Sequence, residues 1–433
     1  MKYRPSSAFL VCLAVVLVFA GIGFWFWSKL QVFPVHQWKS LSFSEILRGV
    51  KFDRFGRAPE QVTADSKRIR ELKQKLLAEF PDLVIHGKPV PDERNGFRLL
   101  CGLSHEMEEG KVRITSGLDD GLRTTALWEP DAMRAALTEN GELIARIESI
   151  AALPDRSLSN MPQSYGHYFS GAEVKRCADV LMAKARLAAE AKDEAEALRL
   201  VAAALNIASH LDQVEAPDFS NATIALLIDR GARESVITQL LPALGREADL
   251  SRWRAILSAR PDYTADSYSR ILRGEWHAGM DRILAPSVVE CIMRNSADEV
   301  EAFHRTTASQ TTYRIRSLAG QNREFLHSML KPPWLGAPLP VGIRHSVDTH
   351  WITSDEWKKS YVRAGTLRAQ NLAALDLLIL EKSGAALTAD SAARVTLEPL
   401  SGQPFLYDPV TRTLTASPTI AGDLNVMPLT LPW

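Results

Sequence analysis

The chain carries no surplus of either charge, with 51 basic residues against 51 acidic ones. A balanced surface gives no electrostatic footprint for nucleic acid or for an acidic polymer, so neither partner is expected. Cysteine is scarce: Cys12 lies in an apolar run, and Cys101, Cys177 and Cys291 stand far apart. That spacing excludes a disulfide-stapled scaffold and a paired-cysteine metal site. One disulfide could form in an oxidising compartment, but buried free thiols are the favoured reading. Catalytic signatures are missing too, with no metalloprotease helix, phosphate loop, dinucleotide fingerprint or serine-hydrolase elbow.

Long hydrophobic runs are rare, and the single one is decisive. Ala8–Trp27 is twenty residues without a charge, twelve of them Leu, Ile, Val or Phe. As a helix it would span about 30 Å, the thickness of a bilayer's hydrocarbon core. Its aliphatic and Phe residues favour insertion by about 5 kcal/mol in total. Lys2 and Arg4 precede it, while Trp25 and Trp27 mark the far interface. This pattern predicts a cytoplasmic N-terminus at 1–7 and a single-pass bacterial inner-membrane anchor at 8–28, with the remaining body in the periplasm. Cleavage after Val18-Phe19-Ala20 is the competing expectation, disfavoured because the apolar stretch continues beyond it.

The rest reads as a mainly α protein. A juxtamembrane spacer at 29–57 leads into a helical and loop-rich region at 58–160. There a helix is expected at Ala58–Phe80, with a basic face including Lys73 and Lys75. Phe97–Leu100 and Val112–Thr115 could form short strands, and Pro130–Ala152 reads as one amphipathic helix. A central helical domain at 161–330 follows. Ser170 is expected to cap a helix with Val174, Cys177, Leu181 and Ala185 on one face. After a turn at Lys192-Asp193-Glu194, Leu198, Val201, Leu205 and Ala208 form the matching stripe. So short a connection makes an antiparallel hairpin, tetratricopeptide-like in its Ala-Leu spacing but without the repeated copies of an array. Separate helices are expected at Asn221–Arg230, Glu234–Leu244, Leu250–Ala259 and Thr264–Ala278, with more helix within Ser287–Met329. Asn221-Ala222-Thr223 matches a glycosylation acceptor, a triplet common by chance. Four prolines make 331–340 a stiff connector. The C-terminal region, 341–433, carries a helix at Ser354–Ser383, stopped by Gly384, and a β-hairpin around Asp408–Thr411.

Candidate chemistry is thin. His345, Asp348, His350 and Asp355 offer imidazoles and carboxylates that could hold a divalent ion if a loop drew them together. Glu275, His277 and Asp281 could place an acid near a base, and His105 with Glu106, Glu108 and Glu109 reads as a solvated acidic loop. Structural roles are favoured for all of these, and no metal or cofactor is expected.

Three stretches carry a resemblance: Glu139–Pro154, the hairpin ending at Leu211 with Leu226-Leu227-Ile228, and the tail Glu398–Tyr407. They resemble a group of membrane-anchored, uncharacterised envelope proteins found in planctomycetes and verrucomicrobia. The group's tail signature runs Asp-Pro-Phe-Ser-Gly-Lys-Pro-Leu and then Tyr. Pro399, Gly402, Pro404 and Tyr407 match it, while Glu398 and Gln403 stand at its Asp and Lys. If that Asp and Lys normally pair, this chain has lost the pair. The resemblance implies an anchored, mainly helical envelope protein and carries over no activity. The expected function is therefore a non-catalytic scaffold held on the bilayer through 8–28 and binding another protein. The alternative is an envelope hydrolase or metal-dependent enzyme using the His345–Asp355 region.

Overall fold

Apolar residues at helical spacing form helices over most of the computed structural model, which describes residues 71–123, 128–158, 170–282, 297–318 and 355–433. Among these the chain is mainly α. Helix α1 covers 71–79. It is followed by α2 (Gly96–Glu108), α3 (Ser116–Arg123), α4 (Pro130–Glu139), α5 (Gly141–Ala151), α6 (Gly171–Glu190), α7 (Glu194–Asp212) and α8 (Phe219–Ser235). Then come α9 (Leu241–Leu244), α10 (Leu250–Ser258), α11 (Ala265–Arg282), α12 (Ala297–Leu318) and α13 (Asp355–Lys382). Strands β1 (Leu406–Asp408) and β2 (Thr413–Thr415), helix α14 (Pro418–Leu424) and strand β3 (Leu429–Thr430) end the chain. No helix among the described residues is long and apolar enough to cross a membrane. The expected anchor at 8–28 lies outside them, as do the spacer and the proline-rich connector.

The chain divides into two compact units. The first has described residues 71–79, 279–282 and 297–306. In it Leu76 is fully buried. Lys75 pairs with Glu301 at 2.6 Å, and Arg305 reaches both Glu79 and Glu301. The pairs are solvent-exposed and add little stability.

The second unit holds the remaining described residues, and its centre is the stack α6–α7–α8. Val174, Cys177, Leu181 and Ala185 on α6 are fully buried, as are Val201 and Ala208 on α7. Small alanines such as Ala178, Ala189, Ala197 and Ala204 line the same faces and let the backbones approach closely. The tight turn between these helices sets Lys192 in the left-handed region, φ +62°. Asp193 then caps α7 by accepting the Glu196 N–H at 3.0 Å. Asp218 and Asp249 cap α8 and α10 in the same way. Helix α13 packs on α8 and α10 and carries the three-stranded antiparallel sheet, ordered β1-β2-β3. Tyr407 pairs with Leu414 and Leu414 with Leu429, so these buried side chains share the inner face. Gln370 on α13 fastens the sheet, donating from Nε2 to the carbonyls of Leu414 and Met427.

Several expectations are corrected. Phe97–Leu100 is not a strand but the first turn of α2, whose buried Phe97, Leu100, Cys101, Ser104 and Met107 repeat with helical spacing. Val112–Thr115 forms no strand either. The expected helix Pro130–Ala152 breaks at Asn140, whose amide donates to Thr115 Oγ1 and the Ala136 carbonyl, while its Oδ1 accepts the Thr115 N–H. A side chain satisfied this way competes with the helix backbone. Ser170 precedes α6 but its hydroxyl makes no capping bond. Asn221–Arg230 and Glu234–Leu244 are not separate helices: α8 continues through a π turn at Val236–Leu240 into α9. Asn221 is 1 % exposed, which rules out glycosylation of the folded chain there. Strand β3 was not foreseen. Cys101 and Cys177 are free and buried, and burial pushes each thiol up to about 12, so both are poor nucleophiles.

Candidate functional site

The sequence's metal-like residues cannot be assembled from the described part. His345, Asp348 and His350 lie outside it, and Asp355 opens α13 with its side chain likewise outside. Among the described residues no three His, Cys, Asp or Glu side chains gather in a metal-binding group. Glu275 and His277 serve different neighbours. The buried Glu275 carboxylate accepts the Phe219 N–H at 2.9 Å, at the start of α8, whereas His277 Nε2 meets the Leu83 carbonyl at 2.7 Å. Trp276 between them is core, at 3 % exposure. The acidic cluster near His105 is helical rather than looped. Glu106 takes a bidentate Arg146, and His105 lies 3.4 Å from Glu109.

The tail motif forms a closed turn. Glu398 and Gln403 meet through main-chain atoms, the Glu398 N–H donating to the Gln403 carbonyl at 2.9 Å. The Glu398 carboxylate, 1 % exposed, turns inward and accepts the N–H groups of Leu400 and Ser401 and the Thr366 hydroxyl. Gly402 sits at φ +63°, where a side chain would be strained. Pro399 and Pro404 flank the turn, half-buried, and Tyr407 is buried on β1 beyond it. The turn leads into β1, which pairs with β2 and packs against the short helical turn Ala389–Arg394. Glu398→Ala should cost about 1–3 kcal/mol, since buried N–H groups lose their acceptor. Glu398→Asp should recover most of that in urea unfolding, because a carboxylate remains.

The deepest polar constellation was not foreseen at all. Asp229 on α8, 2 % exposed, is surrounded by Arg233, Arg260 and Tyr263. Arg233 donates to both carboxylate oxygens, at 2.9 and 3.0 Å, Arg260 Nη1 donates at 2.7 Å and the Tyr263 hydroxyl at 3.0 Å. Four donors fill the four lone-pair positions of a carboxylate. Burial alone would raise the Asp229 pKa, but Arg260 and Arg233 outweigh it and hold the group well below its usual range. The second end of Arg260 pairs with Asp212 at the end of α7. Arg233 also reaches the Leu257 carbonyl, and Arg368 from α13 reaches the carbonyls of Arg260 and Pro261. Four helices and the loop before α11 are thus tied at one point. The only sequence trace was the Asp229/Arg233 spacing of four, which surface pairs share.

A more open corner adjoins this knot. Arg156 Nη1 donates to Gln213 Oε1 at 3.3 Å, and Arg270 Nη1 donates to the Val214 carbonyl at 3.1 Å. Burial draws the Arg156 guanidinium below its ordinary value, with Asp212 opposing and Arg260 reinforcing the shift. For Asp212, burial raises the carboxyl and Arg260 counteracts it.

No family model matches the chain, and neither a curated protein nor a solved structure matches it. The candidate site therefore rests on its own geometry.

Proposed function

We propose that the protein is a single-pass, membrane-anchored envelope scaffold whose helical body binds another protein rather than catalysing a reaction. The observation that carries this reading is the saturation of Asp229: its carboxylate is fully occupied by Arg233, Arg260 and Tyr263, leaving no lone pair for a substrate. A carboxylate so held closes helices together and suits a rigid platform. The apolar segment Ala8–Trp27 supplies the tether, with the N-terminus cytoplasmic and the body periplasmic. The tail resemblance to anchored envelope proteins supports the same placement.

The test uses the full chain tagged after Trp433. The protein should stay in the membrane pellet through alkaline carbonate, and external protease should remove the tag from spheroplasts. Crosslinking in mild detergent should yield a discrete complex larger than the monomer. Carbonate extraction, a protected tag or an uncrosslinked monomer would each contradict the proposal.

A further inference from the structure

Three guanidiniums converge on the three consecutive residues that leave α7. Arg260 pairs with Asp212, Arg156 donates to Gln213, and Arg270 donates to the carbonyl of Val214. They come from separate places: the segment after α5, the loop before α11, and α11 itself. A helix C-terminus attracts cations, but one guanidinium in its last turn suffices for that. The carboxylates do not balance the rest. Asp229 is saturated, Asp155 is held by Arg94, and Glu215 accepts from the Ser157 hydroxyl and the Leu158 N–H. Asp212 is the carboxylate that faces Arg156, Arg260 and Arg270 together, with Asp155 acting on Arg156 and Asp229 on Arg260 from their own pairs.

The Arg260–Asp212 pair is also lopsided. Arg260, 7 % exposed, leaves its buried Nε donor without a partner, and Asp212 leaves its buried Oδ1 acceptor without one. Each unmade bond leaves a buried polar atom desolvated without compensation. Gln213, beside them, is held by two long contacts of 3.3 Å, to Arg156 and to the Ser209 hydroxyl, and is only half-buried. Its side chain is the weakest closure of the corner.

We propose that this corner binds a phosphate group that still carries a proton, admitted when the Gln213 side chain swings away. The charged oxygens of the phosphate accept from Arg260 Nε and from further N–H groups of Arg156 and Arg270. Its P–OH donates to Asp212 Oδ1. Guanidiniums suit phosphate oxygens in geometry and charge. The carboxylate acceptor sets the selectivity, since sulfate at neutral pH has no proton to offer and meets Asp212 as a like charge. The site goes beyond the scaffold reading and does not depend on it. Inorganic phosphate keeps such a proton at neutral pH, whereas a monoester, with its second pKa near about 6, has mostly lost it, so the site selects inorganic phosphate.

Isothermal titration of the full chain in detergent, at fixed ionic strength and neutral pH, tests the site with inorganic phosphate, glycerol phosphate and sulfate. Inorganic phosphate should bind at least about tenfold more tightly than sulfate, and glycerol phosphate, mostly without a proton at this pH, should bind more weakly than inorganic phosphate. Arg156→Gln and Arg270→Gln, confirmed folded by circular dichroism, should each weaken phosphate by about tenfold. Asp212→Asn should narrow the preference over sulfate. If Asp212→Asn fails to fold, the wild-type preference and the two arginine variants still decide the matter. Equal binding of sulfate and phosphate, no binding of either phosphate probe, or unchanged binding in both arginine variants would overturn the assignment.

Discussion

Asp229→Ala should destabilise the second unit by about 3–5 kcal/mol, the cost of leaving buried charge uncompensated. For a unit of this size that lowers Tm by about 10 °C. The cause is specific. Arg233, 0 % exposed, and Arg260 would keep their charges in the interior and lose their shared carboxylate. The exposed pair Arg230–Glu234, at 3.7 Å on the same helix, is the control, and Arg230→Ala should change stability by less than about 0.5 kcal/mol. Replacing Asp212, Asp229, Arg233 and Arg260 together with apolar residues of similar volume should restore much of the loss, because well-packed apolar groups often match a buried ion cluster. Urea unfolding followed by circular dichroism measures all of these. A loss below about 1 kcal/mol in Asp229→Ala would mean that the arginines find water instead.

Mild acid should weaken the second unit through His210. The ring is fully buried between α7, the end of α5 and the start of α2. Its Nε2–H donates to the Ile150 carbonyl at 3.0 Å, its Nδ1 has no partner, and a Cβ on Gly96 would overlap the ring. Burial, with the nearby Arg156 charge, lowers the His210 pKa to about 4, against 6.5 for the unperturbed group. The sign follows from proton counting. Between these values the unfolded chain binds a proton that the folded chain refuses, so stability rises with pH. The contribution is complete above pH 6.5 and is lost as pH falls towards 4. From pH 7.5 to pH 5 the expected loss is about 2 kcal/mol. His210→Asn should abolish that part of the slope in urea titrations at the two pH values. His304, in the first unit, is also held near 4 by burial, and its own variant separates the two contributions. An unchanged slope in His210→Asn would remove the assignment.

Much of the helical layout could be read from sequence, because its cause is local. The stripes on α6 and α7 follow the 3.6-residue period, the short link forces them antiparallel, and Gly384 at φ +90° ends α13 where expected. Helix α2 was missed because Gly96 and Gly102 weaken its local preference, and burial of Phe97, Leu100 and Met107 overrides that. The break at Asn140 depends on Thr115, twenty-five residues earlier, which no window around α4 contains. The knot at Asp229 was hidden for the same reason: Asp212, Arg260 and Arg368 are distant in sequence and resemble ordinary surface charges until the helices meet. The tail turn was legible as a turn, since Pro399, Gly402 and Pro404 announce it. The inward carboxylate of Glu398 was not, because its Thr366 partner belongs to α13.

The tie between Arg368 and the carbonyl of Arg260 bridges 108 residues of chain. At a synthesis rate of about 5–20 residues per second, the ribosome makes Arg368 roughly 5–20 s after Arg260. Throughout that interval the nascent polypeptide holds its inner layers without their last fastening, and the Arg260 carbonyl has to be hydrated. The layers latch only once Arg368 has been made, so a product truncated before it is left permanently ajar.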